Sequence, residues 1–313
     1  MSRRKIDAHV HIVPATVLGA SNENIQYFRN GKAVLKKYHD AVFQNVPDII
    51  GDSSFTTETL RTVLTNAGVE KGVIMVSVWP MLSTDVIAAV QQNSDFFRGA
   101  IGIDPTKENL LQSVQFAHQL GLSIIKLVMA DSIGFTAQYP GILLNDPKLI
   151  PVWRYAEENR MTVAIDAGPI GNKGYTIDVY RMLLESFPKL HFVFCHLGLP
   201  FPGMHQDTEK YTLWKKMCKL AEHQNAWFEC SALSTFYLQE AYPFPSAQKI
   251  VREFMDRYGK DKVIWGTDIP GTLSDATYRQ LIDTYERSTL FTEEEKDAMF
   301  YTNAAKAYYF EEQ

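Results

Sequence analysis

Near the start of the chain stands Lys5-Ile6-Asp7-Ala8-His9-Val10-His11-Ile12. At the two-residue period of a strand, Asp7, His9 and His11 share one face, and Ile6, Ala8, Val10 and Ile12 share the other. Two imidazoles spaced this way can reach one metal ion, so the His-x-His reads as half of a metal site. A motif this short takes its meaning from context. That context is a set of polar residues much further along the chain: Lys126, Asp166, His196, Glu229, Ser231 and Asp268. Imidazole and carboxylate are the ligand set for Zn²⁺, Mn²⁺ or Fe²⁺. The question is whether the chain's elements bring these groups together.

From Thr56 onward apolar runs alternate with helical patterns. Strands are expected at Val73–Val78, Phe97–Ile103, Ser123–Val128, Met161–Ala167, Leu190–Cys195, Ala226–Cys230 and Lys262–Gly266, in addition to the first at Ile6. Helices are expected between them, among them one from Asp146 to Asn159 with Asp146 as its N-cap and Pro147 in its first turn. Eight strands, each followed by a helix, predict an α/β fold with a parallel sheet, a single (β/α)8 TIM barrel spanning residues 1–313. Residues 14–55 form a long lid-like insertion after strand one, with no strand signal and a helical-looking piece near Lys32–Phe43. Insertions of that length commonly serve binding. Extra helical segments close the chain. In such a barrel the site lies at the carboxyl ends of the strands. His9 and His11 end strand one, Lys126 strand four, Asp166 strand five, His196 strand six, Glu229 and Ser231 strand seven, and Asp268 strand eight.

Composition limits the alternatives. The chain has 313 residues, 46% of them hydrophobic, with a formal net charge of −5. That balance argues against nucleic acid and anionic membrane as partners. No apolar run is long enough to span a bilayer, and no secretory signal is expected. Cys195, Cys218 and Cys230 form no disulfide framework, which fits a reducing cytoplasm. No Gly-x-Gly-x-x-Gly follows any strand, which weakens a dinucleotide-binding reading.

The motifs Asp7-x-His9-x-His11 with Pro14, Phe194-Cys195-His196-Leu197-Gly198, Trp265-Gly266-Thr267-Asp268-Ile269-Pro270 and Asn303-Ala304-Ala305 resemble the amidohydrolase superfamily over nearly the whole chain. The similar branch is the amidohydrolase-related family that includes aminocarboxymuconate-semialdehyde decarboxylase. The resemblance implies that His9 and His11 ligate a metal. It implies that Asp268 is a ligand or the base that takes a proton from activated water, and that His196 polarises substrate or moves a proton. It also places a histidine ligand at strand five, where this chain has Asp166. Asp166 either ligates directly or pairs with Lys126 and weakens the site. In binuclear members the strand-four lysine bridges two metals; here the missing strand-five histidine points to one divalent ion, Zn²⁺ first and Mn²⁺ second, with Lys126 as an ion-pair partner or an anchor for a substrate carboxylate.

Glu229 and Ser231 are expected to support the ligands by hydrogen bonds, while Asp7, deeper on the same face, is expected to be structural. Arg29 and His39 from the insertion, with Phe201 and His205 from the loop after strand six, are expected to contact a small aromatic or unsaturated carboxylic acid. Three functions remain open: a metal-dependent hydrolase of an amide, ester or lactone, a metal-dependent non-oxidative decarboxylase, and a barrel that binds a ligand without catalysis. Aromatic residues on helices near the C-terminus (Tyr301, Tyr308, Tyr309 and Phe310) are expected to be exposed, which makes a homodimer an expectation.

Overall fold

The computed structural model describes residues 3–13, 25–27, 31–36, 41–44, 47–48, 55–76 and 83–310. Its strands are β1 (Ile6–Val10), β2 (Ile25–Tyr27), β3 (Lys32–Leu35), β4 (Ala41–Gln44), β5 (Lys71–Ile74), β6 (Phe97–Ile101), β7 (Leu122–Val128), β8 (Thr162–Asp166), β9 (His191–Phe194), β10 (Ala226–Glu229) and β11 (Val263–Ile264). Eight of them run parallel in the order β1-β5-β6-β7-β8-β9-β10-β11, which are barrel strands one to eight. β11 is short because the chain beyond it pairs with β1 instead. The Ala8 amide donates to the Trp265 carbonyl (3.3 Å), Asp268 to His9 (2.7 Å) and His11 to Ile269 (2.7 Å). These bonds close a (β/α)8 barrel and set Asp268 beside the two histidines.

All five residues of β1 are buried, as expected for a strand with helices on one side and a filled barrel on the other. The helices follow the apolar spacing. Thr57–Asn66 is capped by Thr56, whose hydroxyl accepts from the Thr59 amide, and buries Leu60 and Leu64. Pro245–Tyr258 buries Ala247, Ile250, Val251, Phe254 and Met255 along one stripe.

Three expectations need correction. The insertion carries a small antiparallel sheet, β2-β3-β4, where the sequence showed no strand signal. Its strands are three or four residues long, too short for period two to stand out. The helix after strand four runs Ile150–Glu158 with Pro151 in its first turn; Asp146 instead accepts from the Lys148 amide (2.9 Å) in a preceding turn. Finally, Tyr301 and Tyr308 are buried within the chain. Their segment is bound to the barrel's amino-terminal end, where Asn303 Nδ2 donates to the Val263 carbonyl (2.7 Å) and Thr162 to Ala307 (2.6 Å).

The same end holds a pH-sensitive contact. The His191 ring stacks on Tyr309 at 4.4 Å, meets the edge of Trp227 at 4.8 Å, and donates from Nδ1 to the Ala307 carbonyl. Burial lowers its pKa to about 4. The folded state therefore holds His191 neutral, while the unfolded chain takes up a proton below about pH 6.5. The stability this contributes is full above pH 6.5 and is lost progressively as pH falls toward 4. It amounts to about 2 kcal/mol after allowance for the ring's partial exposure. Urea unfolding at pH 7 and pH 5 should show a smaller loss for His191→Gln than for the wild-type chain; equal losses would remove this residue from the pH dependence.

Candidate active site

The carboxyl ends of the barrel strands bring most of the expected residues together. His9 on β1 and His11, one residue beyond its end, have ring centroids 5.0 Å apart, and His9 lies 5.0 Å from the His196 ring. Asp268 Oδ1 is 2.9 Å from His11 Nε2 and 3.7 Å from His9 Nε2. The far nitrogens are already engaged. His9 Nδ1 is 2.6 Å from Glu229 Oε1, and His11 Nδ1 is 2.9 Å from the Met75 carbonyl. A carbonyl oxygen only accepts, so His11 Nδ1 carries the proton. An ionised Glu229 imposes the same on His9. Both Nε2 lone pairs then face Asp268 Oδ1, itself an acceptor.

Acceptors converging at these distances need a cation among them, a proton or a metal ion. His9, His11 and Asp268 accordingly form one group of mutually close ligand atoms. Two imidazoles and a carboxylate fit a divalent ion, and the Nδ1 partners hold the rings in the ligating tautomer. A second group, His9, His196 and Glu229, is also close. In it His9 Nδ1 and Glu229 Oε1 already lie at hydrogen-bond distance, 2.6 Å, as do His196 Nδ1 and the Ser231 hydroxyl beside it at 2.8 Å, so hydrogen bonding accounts for it better.

The electrostatics agree with this division. Burial, with the charge of Lys126 adding to it, holds His9 well below its ordinary pKa, so the imidazole stays neutral. Burial pushes Asp268 upward, but the imidazoles of His9, His11 and His196 around it outweigh that and hold its carboxyl well below the ordinary range, so it is ionised. Asp7 is buried beneath them. Its carboxylate accepts from the Thr267 amide (2.9 Å), the Thr267 hydroxyl (2.6 Å) and the Tyr278 hydroxyl (2.9 Å), and so ties β1 to the turn bearing Asp268.

The backbone at these strand ends is strained. Asp268 has φ +67, and the residues after β9 run left-handed through His196 (φ +56), Leu197 (+52), Gly198 (+71) and Leu199 (+59). Non-glycine residues rarely adopt this region. Buried donors hold the turn: Trp214 Nε1 donates to the Leu197 carbonyl (2.9 Å) and the Tyr175 hydroxyl to Gly198 (2.9 Å). Neither residue was marked by the sequence, since an aromatic that clamps a carbonyl looks like any core aromatic.

Residues 6–310 match the family model described as Amidohydrolase. The chain belongs to the amidohydrolase family. Solved structures share the fold at low identity. A protein from Acinetobacter baumannii named as a 2-pyrone-4,6-dicarboxylic acid hydrolase, with citric acid bound, is 18% identical with a TM-score of 0.71, over 98% of this chain and 99% of that one. One from Pseudomonas putida under the same hydrolase name is 16% identical with a TM-score of 0.69, covering both chains fully at 100%. An amidohydrolase from Burkholderia multivorans with bound zinc is 12% identical with a TM-score of 0.68, over 97% and 99%.

Within this amidohydrolase barrel the remaining expected residues fall unevenly. Asp166 belongs to neither close group. Its Oδ2 is 3.9 Å from His196 Nε2, and its Oδ1 accepts from the Gly168 amide (2.9 Å). The Asp166–Lys126 pair, one of the two alternatives for Asp166, does not form. The β7–β8 register sets Lys126 against Ala164 and Asp166 against Val128, so the lysine sits two residues deeper. Its Nζ donates to Cys195 Sγ at 2.9 Å. Burial opposes the Lys126 charge, but Cys195, Asp166 and Glu229 more than offset it, and the cation persists deep in the lumen. Cys195, unmarked in the sequence, is pushed well above the ordinary thiol range by burial and stays neutral.

Glu229 and Ser231 are fully buried behind the histidines. Ser231 donates to Glu229 Oε1, and its oxygen lies 2.8 Å from His196 Nδ1. The loop residues are less central. Phe201 is partly buried beneath Lys210, 5.4 Å from its ring. His205 is exposed and bonds Glu253 at 2.9 Å, because the loop carries it onto the Pro245–Tyr258 helix. Arg29 and His39 lie outside the described residues. Phe236, which sequence reading passed over, packs edge-on to the His196 ring at 6.0 Å.

Proposed function

We propose that this amidohydrolase is a hydrolase of an amide, ester or lactone bond in a small carboxylic substrate, using one divalent metal ion held by His9, His11 and Asp268. The supporting observation is the acceptor cluster: two Nε2 lone pairs and a carboxylate oxygen face one another with their other atoms already bonded. Zn²⁺ is the first assignment and Mn²⁺ the second, on ligand type. When bound, the ion supplies Lewis acidity, polarising a carbonyl and lowering the pKa of water.

The chain's own groups supply the rest. Asp268, ionised and beside both histidines, accepts a proton from the attacking water. His196 faces the same space and moves a proton on the substrate side. Lys126, a buried cation, offers charge to a substrate carboxylate, with Asp166 between it and the rim. The three cysteines are free and buried, which suits the cytoplasm. No described helix is long and apolar enough to cross a membrane.

The test pairs metal analysis with product analysis. Protein purified without chelator is expected to carry close to one equivalent of zinc or manganese. On a panel of carboxylate-bearing lactones, esters and amides it should yield products that have gained one water. Products that have lost carbon dioxide would replace this reading with decarboxylation. Metal-loaded protein that turns over nothing in either class would point to a binding protein.

A further inference from the structure

We propose that Ser231 is a positioning residue that sets the tautomer of His196: by donating to Glu229 it leaves only lone pairs for the imidazole, fixes the proton on Nδ1, and turns the Nε2 lone pair into the barrel mouth. The consequence for catalysis rests on the hydrolase reading above; the tautomer does not.

The assignment follows from counting protons. Glu229 has no solvent exposure. Its Oε1 faces two donors, His9 Nδ1 at 2.6 Å and the Ser231 hydroxyl. Its Oε2 has no hydrogen-bond partner among the described residues, so all the polar bonding of this buried side chain passes through one oxygen. Burial raises the Glu229 pKa, but with two donors on Oε1 a proton on this group would sit on Oε2, so Oε1 only accepts, and a serine hydroxyl has a single proton, which is spent on it. At 2.8 Å on the other side, His196 Nδ1 therefore meets a lone pair and must carry hydrogen. A neutral imidazole so protonated presents Nε2 as an acceptor. The opposite tautomer would turn the Ser231 proton toward His196 and strip Glu229 of a donor in a dry site, where a hydrogen bond to a charged group is among the stronger ones.

The ring has little freedom to evade this. Its backbone sits in the left-handed turn held by Trp214 and Tyr175. One buried carboxylate thereby orients two imidazoles alike: His9 directly and His196 through Ser231. Both direct Nε2 to the mouth, the first toward Asp268 and the second toward Asp166, 3.9 Å away.

The test reads the tautomer itself. Protein labelled with ¹⁵N-histidine, as purified and again after chelation, is examined by long-range ¹H–¹⁵N correlation at pH 8. The His196 signals are assigned by their loss in His196→Gln. The wild-type chain and Ser231→Thr, which keeps the hydroxyl, should show His196 with a protonated Nδ1 and an unprotonated Nε2. In Ser231→Ala the preference should fall by about tenfold or more, giving averaged nitrogen shifts. A wild-type His196 protonated on Nε2, or a Ser231→Ala ring that keeps the pure Nδ1–H form, overturns the proposal. The wild-type spectrum decides the first point even if Ser231→Ala fails to fold. If the tautomer is as stated but no substrate is hydrolysed, the positioning role stands and the hydrolase reading falls.

Discussion

Asp268→Asn is expected to lower kcat/KM by about a thousandfold or more on whichever panel substrate proves active, with the fold intact. The substitution keeps the side-chain shape and removes only the charge. It also keeps the backbone. Asp268 sits at φ +67, and asparagine is the residue besides glycine that best tolerates this region. The Asp268 amide would still donate to the His9 carbonyl and close the barrel.

What disappears is the negative charge that His9 and His11 both face, and with it the proton-accepting carboxylate. Asp268→Ala is the poorer test, since it adds strain of roughly 1–2 kcal/mol at a left-handed position and mixes stability with chemistry. The measurement is steady-state kinetics with metal content determined on the same samples. Metal content should fall as well, because a neutral amide is a weaker ligand than a carboxylate. Turnover within tenfold of wild type at equal metal content would remove Asp268 from the chemistry.

The part of this site legible in the sequence is the part set by strand period and strand order. His9 and His11 lie on one face because strands alternate, and Asp268 joins them because strand eight must close on strand one. Glu229 and Ser231 face the lumen by the same alternation. What the sequence did not show depends on register and on loop paths. Lys126 and Asp166 lie on adjacent strands, but Asp166 ends its strand while Lys126, paired with Ala164, stands two residues before the end of β7, and no pattern in either segment fixes that offset. His205 lies only nine residues beyond His196, yet the left-handed turn and the loop after it carry it to the surface. The small sheet in the insertion was missed because its strands are too short for periodicity to separate strand from helix. Trp214 and Tyr175 were invisible for a different reason. Their function is one N–H and one O–H placed against strained carbonyls, and only coordinates show where those point.

The largest expected loss of stability comes from Gly174→Ala. Gly174 is not in the left-handed region; space is the constraint. A methyl group there would lie 1.9 Å from the Met129 carbonyl oxygen, 2.6 Å from its carbon and 2.8 Å from its Cβ. The obstacle is backbone that cannot swing aside. Met129 follows directly on β7, its amide donates to the Asp166 carbonyl (2.7 Å), and its own carbonyl accepts from Thr136 (2.8 Å). On the other side Gly174 is tied by its amide to Asn172 (2.7 Å) and by its carbonyl to the Thr176 amide (2.9 Å) and the Tyr180 hydroxyl.

Relief therefore requires the loops after barrel strands four and five to part, and those strands carry Lys126 and, at its end, Asp166. Overpacking of this kind costs about 3 kcal/mol or more. In a chain of this length that lowers Tm by about 5 °C. Gly171→Ala in the same loop is the control. It has no atom within 4 Å of the added methyl but stands at φ +87, so it carries only left-handed strain of roughly 1–2 kcal/mol. Calorimetry on both variants separates the two causes. A Gly174→Ala Tm no lower than that of Gly171→Ala would mean that the two loops are free to move apart, and that the contact between them does not hold Asp166 where it stands opposite His196.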